Sequence, residues 1–232
     1  VTVDAKREGI EAAARRARYE ALIEAMRRSG AQILLTAHHR DDLLETFLLQ
    51  WVRGAGVDGL AAMPTLSTLE RWGAPDLLLG RPFLSLSRED VTRFVTESNL
   101  PWVEDESNAD DRYYRNRMRN RVLPVLKEAF PHAEAPAARS VRWCGEAAEI
   151  LAERADEDIA FARCEDGSLD LTDLTPARRK NALRRWLSVT FGVTASSLLT
   201  DEWETLIAEQ KTVERLRVFD GRSVHLHRGR LF

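Results

Sequence analysis

The chain has 232 residues, a formal net charge of −3, 44% hydrophobic and 31% charged residues, which is typical of a globular protein of one or two domains. It contains no apolar run near the ~18 residues that cross a bilayer, and Cys144 and Cys164 form neither a zinc site nor a disulfide framework. We therefore expect no membrane and a reducing, cytoplasmic location, and any nucleic acid would bind to local clusters of arginine rather than to a global positive field.

The first predicted element is a helix over residues 9–29, which are rich in alanine, the strongest helix former. Small residues recur along one face, as close packing against a sheet requires; they are Ile10, Ala13, Ala14, Ala17, Ala21 and Ala25. The alternative is a solvated helix with i, i+4 ion pairs, such as Glu11 with Arg15.

The next element is a short apolar run over residues 32–37, which predicts a buried strand. It leads into His38, His39, Asp41 and Asp42, which open a helix predicted over residues 42–53. Ligands of open α/β sheets bind at the carboxyl ends of strands. This histidine and carboxylate cluster is therefore the candidate functional site.

Two interpretations of the cluster are open. Asp42 and Glu45 have the spacing of a capping box and could serve only to satisfy the first turn of the helix. That role leaves His38, His39 and Asp41 unexplained. In the functional interpretation, the carboxylates hold Mg²⁺ or an amine while a histidine or an arginine faces phosphate.

Residues 66–76 predict a surface hairpin or loop, and residues 76–82 predict the last strand of the sheet, stopped by Pro82. A capping signal at Ser87 then opens a helix whose inner face is predicted to contain Val91, Phe94 and Val95.

The segment after this helix has an abrupt change of charge, because residues 104–111 carry five acids and residues 112–121 carry five arginines, with two tyrosines. The arginines could pair with the preceding acids around a turn. Alternatively, arginines and tyrosines on one helix form a surface that follows phosphates and stacks on bases.

Three prolines within residues 124–136 mark a domain boundary, which divides the chain into residues 1–127 and 128–232. Helices are predicted over residues 137–162, 175–191 and 195–210, with a short segment at 168–171 before the second of them, and short strands at 215–219 and 223–227. Asp220-Gly221 is the preferred turn for a hairpin between the last two. His225 and His227 share one face of the final strand and are expected to be surface histidines rather than zinc ligands.

The pattern His-His-x-Asp-Asp-x-x-Glu-Thr at residues 38–46, followed by Arg-Gly-x-Gly-x-x-Gly-Leu-x-x-Met at 53–63, resembles the second signature of the tRNA(Ile)-lysidine synthetases, which are PP-loop ATP pyrophosphatases. Further motifs follow in family order, at residues 81–84, 102–108, 114–119 and 123–124. The resemblance implies an α/β fold with a Rossmann-like parallel sheet, incomplete at its amino terminus, followed by a mainly helical domain with a small β-hairpin.

The first signature of that family, Ser-Gly-Gly-x-Asp-Ser, which cradles the phosphates of ATP, does not occur in the sequence. We expect the chain to be a fragment that begins inside the nucleotide-binding domain, with a strand at residues 1–3 and the signature before Val1. This chain would then be inactive without that loop, and a natural chain that had lost it would be catalytically dead.

The resemblance further implies ATP-dependent ligation of free L-lysine to C2 of the wobble cytidine of tRNA(Ile), through an adenylated cytidine, with ATP and Mg²⁺ as cofactors. It assigns catalysis to His38, Asp41, Asp42 and Glu45, nucleotide binding to Arg18, His38, Arg53, Gly54 and Gly56, and Mg²⁺ to Asp41. It assigns the binding of substrate lysine to Asp42 and Glu45, and the ordering of a loop to Asp105 and Asn108. The residues it assigns to tRNA contacts are Arg115, Asn116, Arg119, Arg178, Arg179, Arg184 and Arg185.

Two other functions stay open at this point. A tRNA thiolase would share the PP-loop fold, but such enzymes commonly use cysteine pairs, and this sequence has no Cys-x-x-Cys. A non-catalytic tRNA-binding fragment would keep the basic segment 178–185 functional without turning over ATP. The family resemblance also allows a homodimer.

Overall fold

The computed structural model describes residues 10–103, 110–218 and 222–232, with side chains from residue 13 onward. The chain divides into two compact units, Val1–Gly145 and Glu146–Phe232. Several predicted features lie outside the described residues or side chains; they are the strand at 1–3, the pair of Glu11 with Arg15, the loop residues Asp105 and Asn108, and the turn Asp220-Gly221.

The first unit places helices around a small sheet. In chain order its elements are α1 (Ile10–Ser29), β1 (Ile33–Leu35), α2 (Arg40–Val52), α3 (Val57–Leu60), β2 (Leu66–Leu69), β3 (Ala74–Gly80), α4 (Arg88–Glu97) and α5 (Tyr114–Arg117), which continues through a π-helical segment (Met118–Val122) into α6 (Leu123–Ala129). Helix α7 (Glu134–Ala162) begins in this unit, so the boundary between the two units lies inside this helix. The helix predicted at residues 137–162 is therefore present. The domain limits 1–127 and 128–232 stay a prediction.

The sheet of the first unit has the strand order β1-β3-β2 in the described part of the chain. Strands β1 and β3 are parallel, with Leu35 opposite Gly80, whereas β2 is antiparallel to β3. The strand predicted at residues 32–37 therefore exists, but the prediction that it is buried is wrong. Ile33 is 44% and Leu35 61% exposed, because β1 forms an edge of the described sheet.

Helix α1 packs on this sheet through its larger residues. Tyr19, Ile23 and Met26 lie at helical spacing and join a core cluster with Leu69, Leu77 and Leu79. The ring of Tyr19 stacks on Trp72 with 4.5 Å between centroids. The predicted small-residue face is wrong at its carboxyl end, since Ala21 and Ala25 are exposed.

Residues 66–76 form the predicted hairpin, in which a 3-10 turn (Glu70–Trp72) connects β2 to β3 and Gly73 has the left-handed φ of 77° that such a turn requires. Ser87 caps α4 as predicted, through a capping box with Asp90. The inner face predicted for α4 is wrong at Phe94, which is 64% exposed.

The second unit contains the end of α7, β4 (Leu169–Asp170), α8 (Pro176–Phe191), α9 (Ser197–Ala208), β5 (Val213–Arg217), β6 (Ser223–His227) and β7 (Arg230–Leu231). Helix α8 has Pro176 at its first turn and ends at Gly192, with φ 68°. The predicted hairpin strands belong to a larger antiparallel sheet with the order β4-β7-β6-β5. The sheet and the helices enclose a core that includes Leu183, Leu187, Trp203, Ile207 and Leu226.

Among the residues that the structure describes, no helix combines the length and apolar character that a membrane crossing needs.

Trp203 supports the core of the second unit, where it is 2% exposed. We expect Trp203→Ala to lower the free energy of unfolding by about 3–5 kcal/mol, because it leaves a cavity that the core cannot fill. Leu198→Ala on the same helix is the control, since Leu198 is 81% exposed; it should change stability by less than about 0.5 kcal/mol. Urea denaturation measures both, and equal effects would contradict this account of the core.

Candidate active site

The amino terminus of α2 is capped by a histidine. The backbone N–H of Asp42 donates to Nδ1 of His39 at 3.4 Å, and Oδ2 of Asp42 accepts from the backbone N–H of His39 at 3.0 Å. The capping box is thus formed by His39 and Asp42, and the proposed pairing of Asp42 with Glu45 is wrong because the helix begins at Arg40. His39 therefore has a structural role that the sequence pattern did not reveal.

Asp41 joins three elements of the first unit. It is 6% exposed and accepts hydrogen bonds from the backbone N–H of Arg88 at 2.9 Å and from the ammonium group of Lys127. Burial alone would raise the pKa of Asp41, but the bonds from Lys127 and Arg88 outweigh it and hold the pKa below its ordinary value. Asp41 consequently stays ionised and ties the start of α2 to α4 and α6.

The assignment of Mg²⁺ to Asp41 does not fit these contacts. One oxygen of the carboxylate is bonded to Lys127 and the other to the N–H of Arg88, and an adjacent ammonium group competes with a divalent cation. In the described part of the chain, no group of three or more His, Cys, Asp or Glu side chains is arranged to hold a metal ion.

Asp42 and Glu45 bind two arginines from the segment that starts at α5. Arg115 donates from Nε to Glu45 at 3.0 Å and from Nη2 to Asp42 at 2.8 Å. Arg119 donates from Nε and Nη2 to the two oxygens of Glu45 at 2.6 and 2.8 Å, and its Nη2 lies 3.3 Å from Asp42. The predicted carboxylates and two of the predicted tRNA-binding arginines are therefore brought together in one network.

Every carboxylate oxygen of Asp42 and Glu45 already accepts a hydrogen bond in this network. Glu45 is 1% exposed, and both of its oxygens accept from a guanidinium group. Asp42 gives one oxygen to the arginines and the other to the cap. A free lysine could pair with either carboxylate only by displacing an existing donor, so the geometry is at odds with a simple lysine anchor here.

The arginines of residues 112–121 do not all have the same role: some form local ion pairs with the preceding acids, and others face the carboxylates of α2. Arg112 pairs with Asp110 at 2.7 Å and Arg121 with Asp111 at 2.6 Å, as expected of local ion pairs. Arg115 and Arg119 instead face α2, and Asn116 donates to the carbonyl of Asp110 at 3.0 Å. Arg115 and Arg119 share one helical face at i, i+4 spacing, but Arg117 and Arg121 have the same spacing, so the sequence does not show which pair faces α2. Arg115 and Arg119 flank the start of the π-helical segment, a feature common at functional sites.

His38 lies beside this network and is uncharged at neutral pH. Its Nδ1 is 2.8 Å from the hydroxyl of Thr36. The pKa of His38 is lowered to about 4, chiefly by burial; the carboxylate of Asp42 opposes this shift, and the nearby Arg115, Arg81 and Arg15 add to it. A neutral imidazole with this pKa is a weak base and a good partner for a neutral hydrogen bond.

Arg81 and Arg15 also belong to this region, although the sequence analysis placed Arg81 only in the family motif at residues 81–84 and Arg15 only in an ion pair with Glu11. Arg81 directly follows β3, is 7% exposed, and donates from Nη1 to the carbonyl of Pro64 at 2.7 Å. Its Nε is buried without an acceptor among the described residues. Arg15 lies 5.4 Å above the ring of Tyr19. A charged residue at the carboxyl end of a strand was the available signal.

The other nucleotide-binding candidates lie on exposed backbone. Arg18 is exposed on α1, Arg53 is the exposed C-cap of α2, Gly54 has a left-handed φ of 72°, and Gly56 is the N-cap of α3. No described contact connects them to the carboxylates. Their role in nucleotide binding stays a prediction.

The basic helix α8 of the second unit is largely neutralised by acidic neighbours. Arg178 donates to Asp158 at 3.0 Å, Lys180 pairs with Asp201 at 2.7 Å, and Arg185 pairs with Asp156 at 2.7 Å. Arg184 is exposed and has no partner among the described residues. His225 and His227 are exposed, as expected. The cluster of positive charge seen in the sequence is therefore mostly internal ion pairing.

Arg179 is the clearest departure from the predicted tRNA contacts. It is 6% exposed, donates to Glu204 at 2.6 Å, and also donates to the carbonyls of Leu171, Thr172 and Leu174. Each of its three guanidinium nitrogens thus donates to an acceptor within the protein. This buried position corrects the assignment of Arg179 to tRNA and gives it a structural role.

Comparison with known proteins shows the family to which the chain belongs. Residues 1–126, more than half of the chain, match the family model of the PP-loop domain, and residues 169–232 match that of the TilS substrate binding domain. The chain therefore belongs to the PP-loop family. The predicted α/β fold with a following helical region and a small sheet is confirmed.

Within that family, the similar relatives are named tRNA(Ile)-lysidine synthase. The protein of Photorhabdus laumondii is 41% identical over 189 residues, which cover 80% of this chain and 41% of that protein. The protein of Coxiella burnetii is 43% identical over 183 residues, which cover 78% of this chain and 39% of that protein. That of Pectobacterium atrosepticum is 38% identical over 237 residues, which cover 100% of this chain and 52% of that protein.

The resemblance drawn from residues 38–63 is thus confirmed. The chain spans about half the length of the curated relatives it matches, or somewhat less.

Glu45 is predicted to be essential for stability. Glu45→Gln removes the negative charge that offsets Arg115 and Arg119, and we expect a loss of about 3–5 kcal/mol in the free energy of unfolding. The control is Glu24→Gln, since Glu24 is 69% exposed in its side chain and pairs with Arg28 at 3.4 Å; it should cost less than about 1 kcal/mol. Urea denaturation tests the pair, and a mild effect at Glu45 would argue against a buried network.

His38 is predicted to remain neutral until the pH approaches its pKa of about 4, against an ordinary value of 6.5. Between these two values the unfolded chain binds a proton that the folded chain does not, so His38 makes stability fall as the pH drops from 6.5 to 4. NMR titration of the imidazole should give the pKa directly, and His38→Gln should remove this part of the pH dependence. A folded-state pKa near 6.5 would contradict the assigned surroundings.

Proposed function

We propose that this chain acts in the ATP-dependent ligation of lysine to C2 of the wobble cytidine of tRNA(Ile), through an adenylated cytidine. The observation that carries the proposal is the pairing of Asp42 and Glu45 with Arg115 and Arg119 at the carboxyl end of a strand. The names of the relatives favour lysine ligation over sulfur transfer. In the reaction, the C2 carbonyl oxygen attacks the α-phosphate of ATP and releases pyrophosphate, and the ε-amine of lysine then displaces AMP.

The first step needs positive charge held near a polyanion. Arg115 and Arg119 use their Nε and Nη2 groups on the carboxylates, and the Nη1 group of each has no partner among the described residues. Their side chains remain 24% and 23% exposed. Donors already fixed in position neutralise phosphate charge without reorganisation. We assign both arginines to the phosphates of the nucleotide or the tRNA, with Asn116 holding their segment.

The second step needs lysine to lose a proton before it attacks. His38 is a weak base at a pKa of about 4, so we assign it a neutral hydrogen bond to a phosphate oxygen rather than the removal of that proton. Because Asp42 and Glu45 are occupied by arginine and cap contacts, we assign them to positioning Arg115 and Arg119. Free L-lysine remains the expected second substrate.

ATP use follows from the PP-loop family, whereas Mg²⁺ is an expectation to which we assign no step, because Asp41 is committed to Lys127 and Arg88. For tRNA, Arg184 is the member of the basic helix that is exposed and has no described partner, and Arg178 and Arg185 remain partly exposed beside their acids. A cytoplasmic location and a homodimer are expected with this function.

Arg119 and Arg121 form a matched pair for testing the proposal, because Arg121 lies on the same segment but pairs with Asp111 near the surface. In a protein that joins this chain to the Ser-Gly-Gly-x-Asp-Ser loop, Arg119→Met should lower the rate of AMP release that depends on lysine and tRNA(Ile) by about 10²–10³-fold, the usual effect of losing one fixed donor to a transition-state charge. Arg121→Met should leave the rate within about twofold, because surface ion pairs contribute little.

Circular dichroism and tRNA binding separate chemistry from folding, and Arg119→Lys supplies a variant that keeps the charge near Glu45. Equal rates for the Arg119 and Arg121 variants, or AMP release that does not require lysine, would overturn the proposed function.

A further inference from the structure

The carboxyl ends of β1 and β3 carry a second group of polar side chains beside the carboxylate network. The two strands are paired in parallel through Leu35 and Gly80, so Thr36 and Arg81 emerge at the same edge of the sheet. The backbone N–H of Thr36 donates to the carbonyl of Gly80 at 2.9 Å, and its hydroxyl is 2.8 Å from His38. Thr36, His38 and Arg81 therefore lie together.

Two arginines near this group, Arg81 and Arg15, have no carboxylate partner among the residues whose side chains the structure describes. Arg81 is 7% exposed, and its described side-chain acceptors are neutral: the carbonyl of Pro64 and, at 3.4 Å, the hydroxyl of Ser67. Its Nε has no acceptor among the described residues. Arg15 makes no ion pair with a described residue, and its guanidinium group lies 5.4 Å from the centroid of the Tyr19 ring. Burying a cation and an unpaired N–H is costly unless an anion supplies the missing partner.

The neighbouring carboxylates do not provide this charge. Asp41 is committed to Lys127 and Arg88, and Asp42 and Glu45 are committed to Arg115 and Arg119. The carboxylate network is balanced by its own cations, whereas no carboxylate among the described side chains pairs with Arg15 or Arg81. Burial lowers the pKa of Arg81, and the nearby charge of Arg15 lowers it further, as expected of two cations close together. A bound oxyanion would supply the negative charge and the hydrogen-bond acceptors that Arg81 and Arg15 do not find among the described residues.

We propose that Arg81, assisted by Arg15, binds a phosphate group of the nucleotide at the carboxyl ends of β1 and β3. The inference deepens the proposed function and rests on it for the identity of the nucleotide. Two guanidinium groups match the charge and the several oxygens of a phosphate better than the single charge of an amino-acid carboxylate. Arg81 thereby becomes a substrate-contacting residue, and Thr36 positions His38 beside the same phosphate.

The test uses pyrophosphate as the probe and isothermal titration calorimetry on the 232-residue chain. Wild type should bind, and Arg81→Met should weaken the affinity by about tenfold or more, as expected when a charge-assisted hydrogen bond is lost. Arg15→Met, an exposed change that should not disturb folding, should weaken binding as well. Arg81→Lys should give an intermediate affinity, because it keeps the charge but loses the planar fork.

Two control variants separate phosphate binding from support of the fold. Arg28→Met removes an exposed arginine from the same helix as Arg15 and should leave the affinity unchanged. Ser67→Ala removes a side-chain acceptor of Arg81 without touching its charge and should also leave the affinity unchanged. NMR supplies a readout that a structural role would not move. Pyrophosphate should raise the pKa of His38 in wild type but not in Arg81→Met.

Absence of pyrophosphate binding by wild type, or unchanged affinity in both the Arg81 and Arg15 variants, would overturn the proposal. Titration with L-lysine distinguishes the other oxyanion: displacement of pyrophosphate by lysine, together with loss of lysine binding in Arg81→Met, would assign Arg81 and Arg15 to a carboxylate instead. Because pyrophosphate binding is measured without tRNA or turnover, its failure is separate from a failure of the proposed ligation.

Discussion

The pairing of Glu45 with Arg115 and Arg119 is the constraint on which the rest of the site depends. A carboxylate that is 1% exposed must be matched by fixed cations, and its partners stand 70 and 74 residues further along the chain. The same two arginines reach Asp42, which caps α2 through His39. Cap, carboxylates and arginines are therefore one unit, and a change in any member removes a partner from the others.

This arrangement changes what the acidic residues can do. An exposed Asp or Glu could hold a substrate amine or a metal ion directly, but here the carboxylates orient guanidinium groups whose remaining donors point away from them. The site therefore presents prearranged positive charge rather than open carboxylates. His38, neutral because it is buried among arginines, fits the same chemistry, since it can contact a phosphate without adding charge.

Charge in the two units follows different rules. In the second unit, helix α8 carries a dense run of basic residues, yet Arg178, Lys180 and Arg185 pair with acids of α7 and α9, and Arg179 is buried on Glu204. A basic run is therefore a poor guide to an RNA-binding surface when acidic residues lie on adjacent helices. In the first unit, Arg81 is buried and its partners among the described residues are neutral, so this single arginine indicates an anion-binding position more clearly than the longer basic run of α8 does.

The sequence by itself determined the helices, most of the strands, the family and the importance of residues 38–46, because periodicity, capping signals and ordered motifs are local properties. It could not determine that His39 rather than Glu45 completes the cap, that β1 is exposed, or that Arg179 is buried. Those outcomes depend on which distant residues arrive beside each other. Only tertiary contacts between residues such as Glu45 and Arg119 decide which charges are neutralised and which remain available to a ligand.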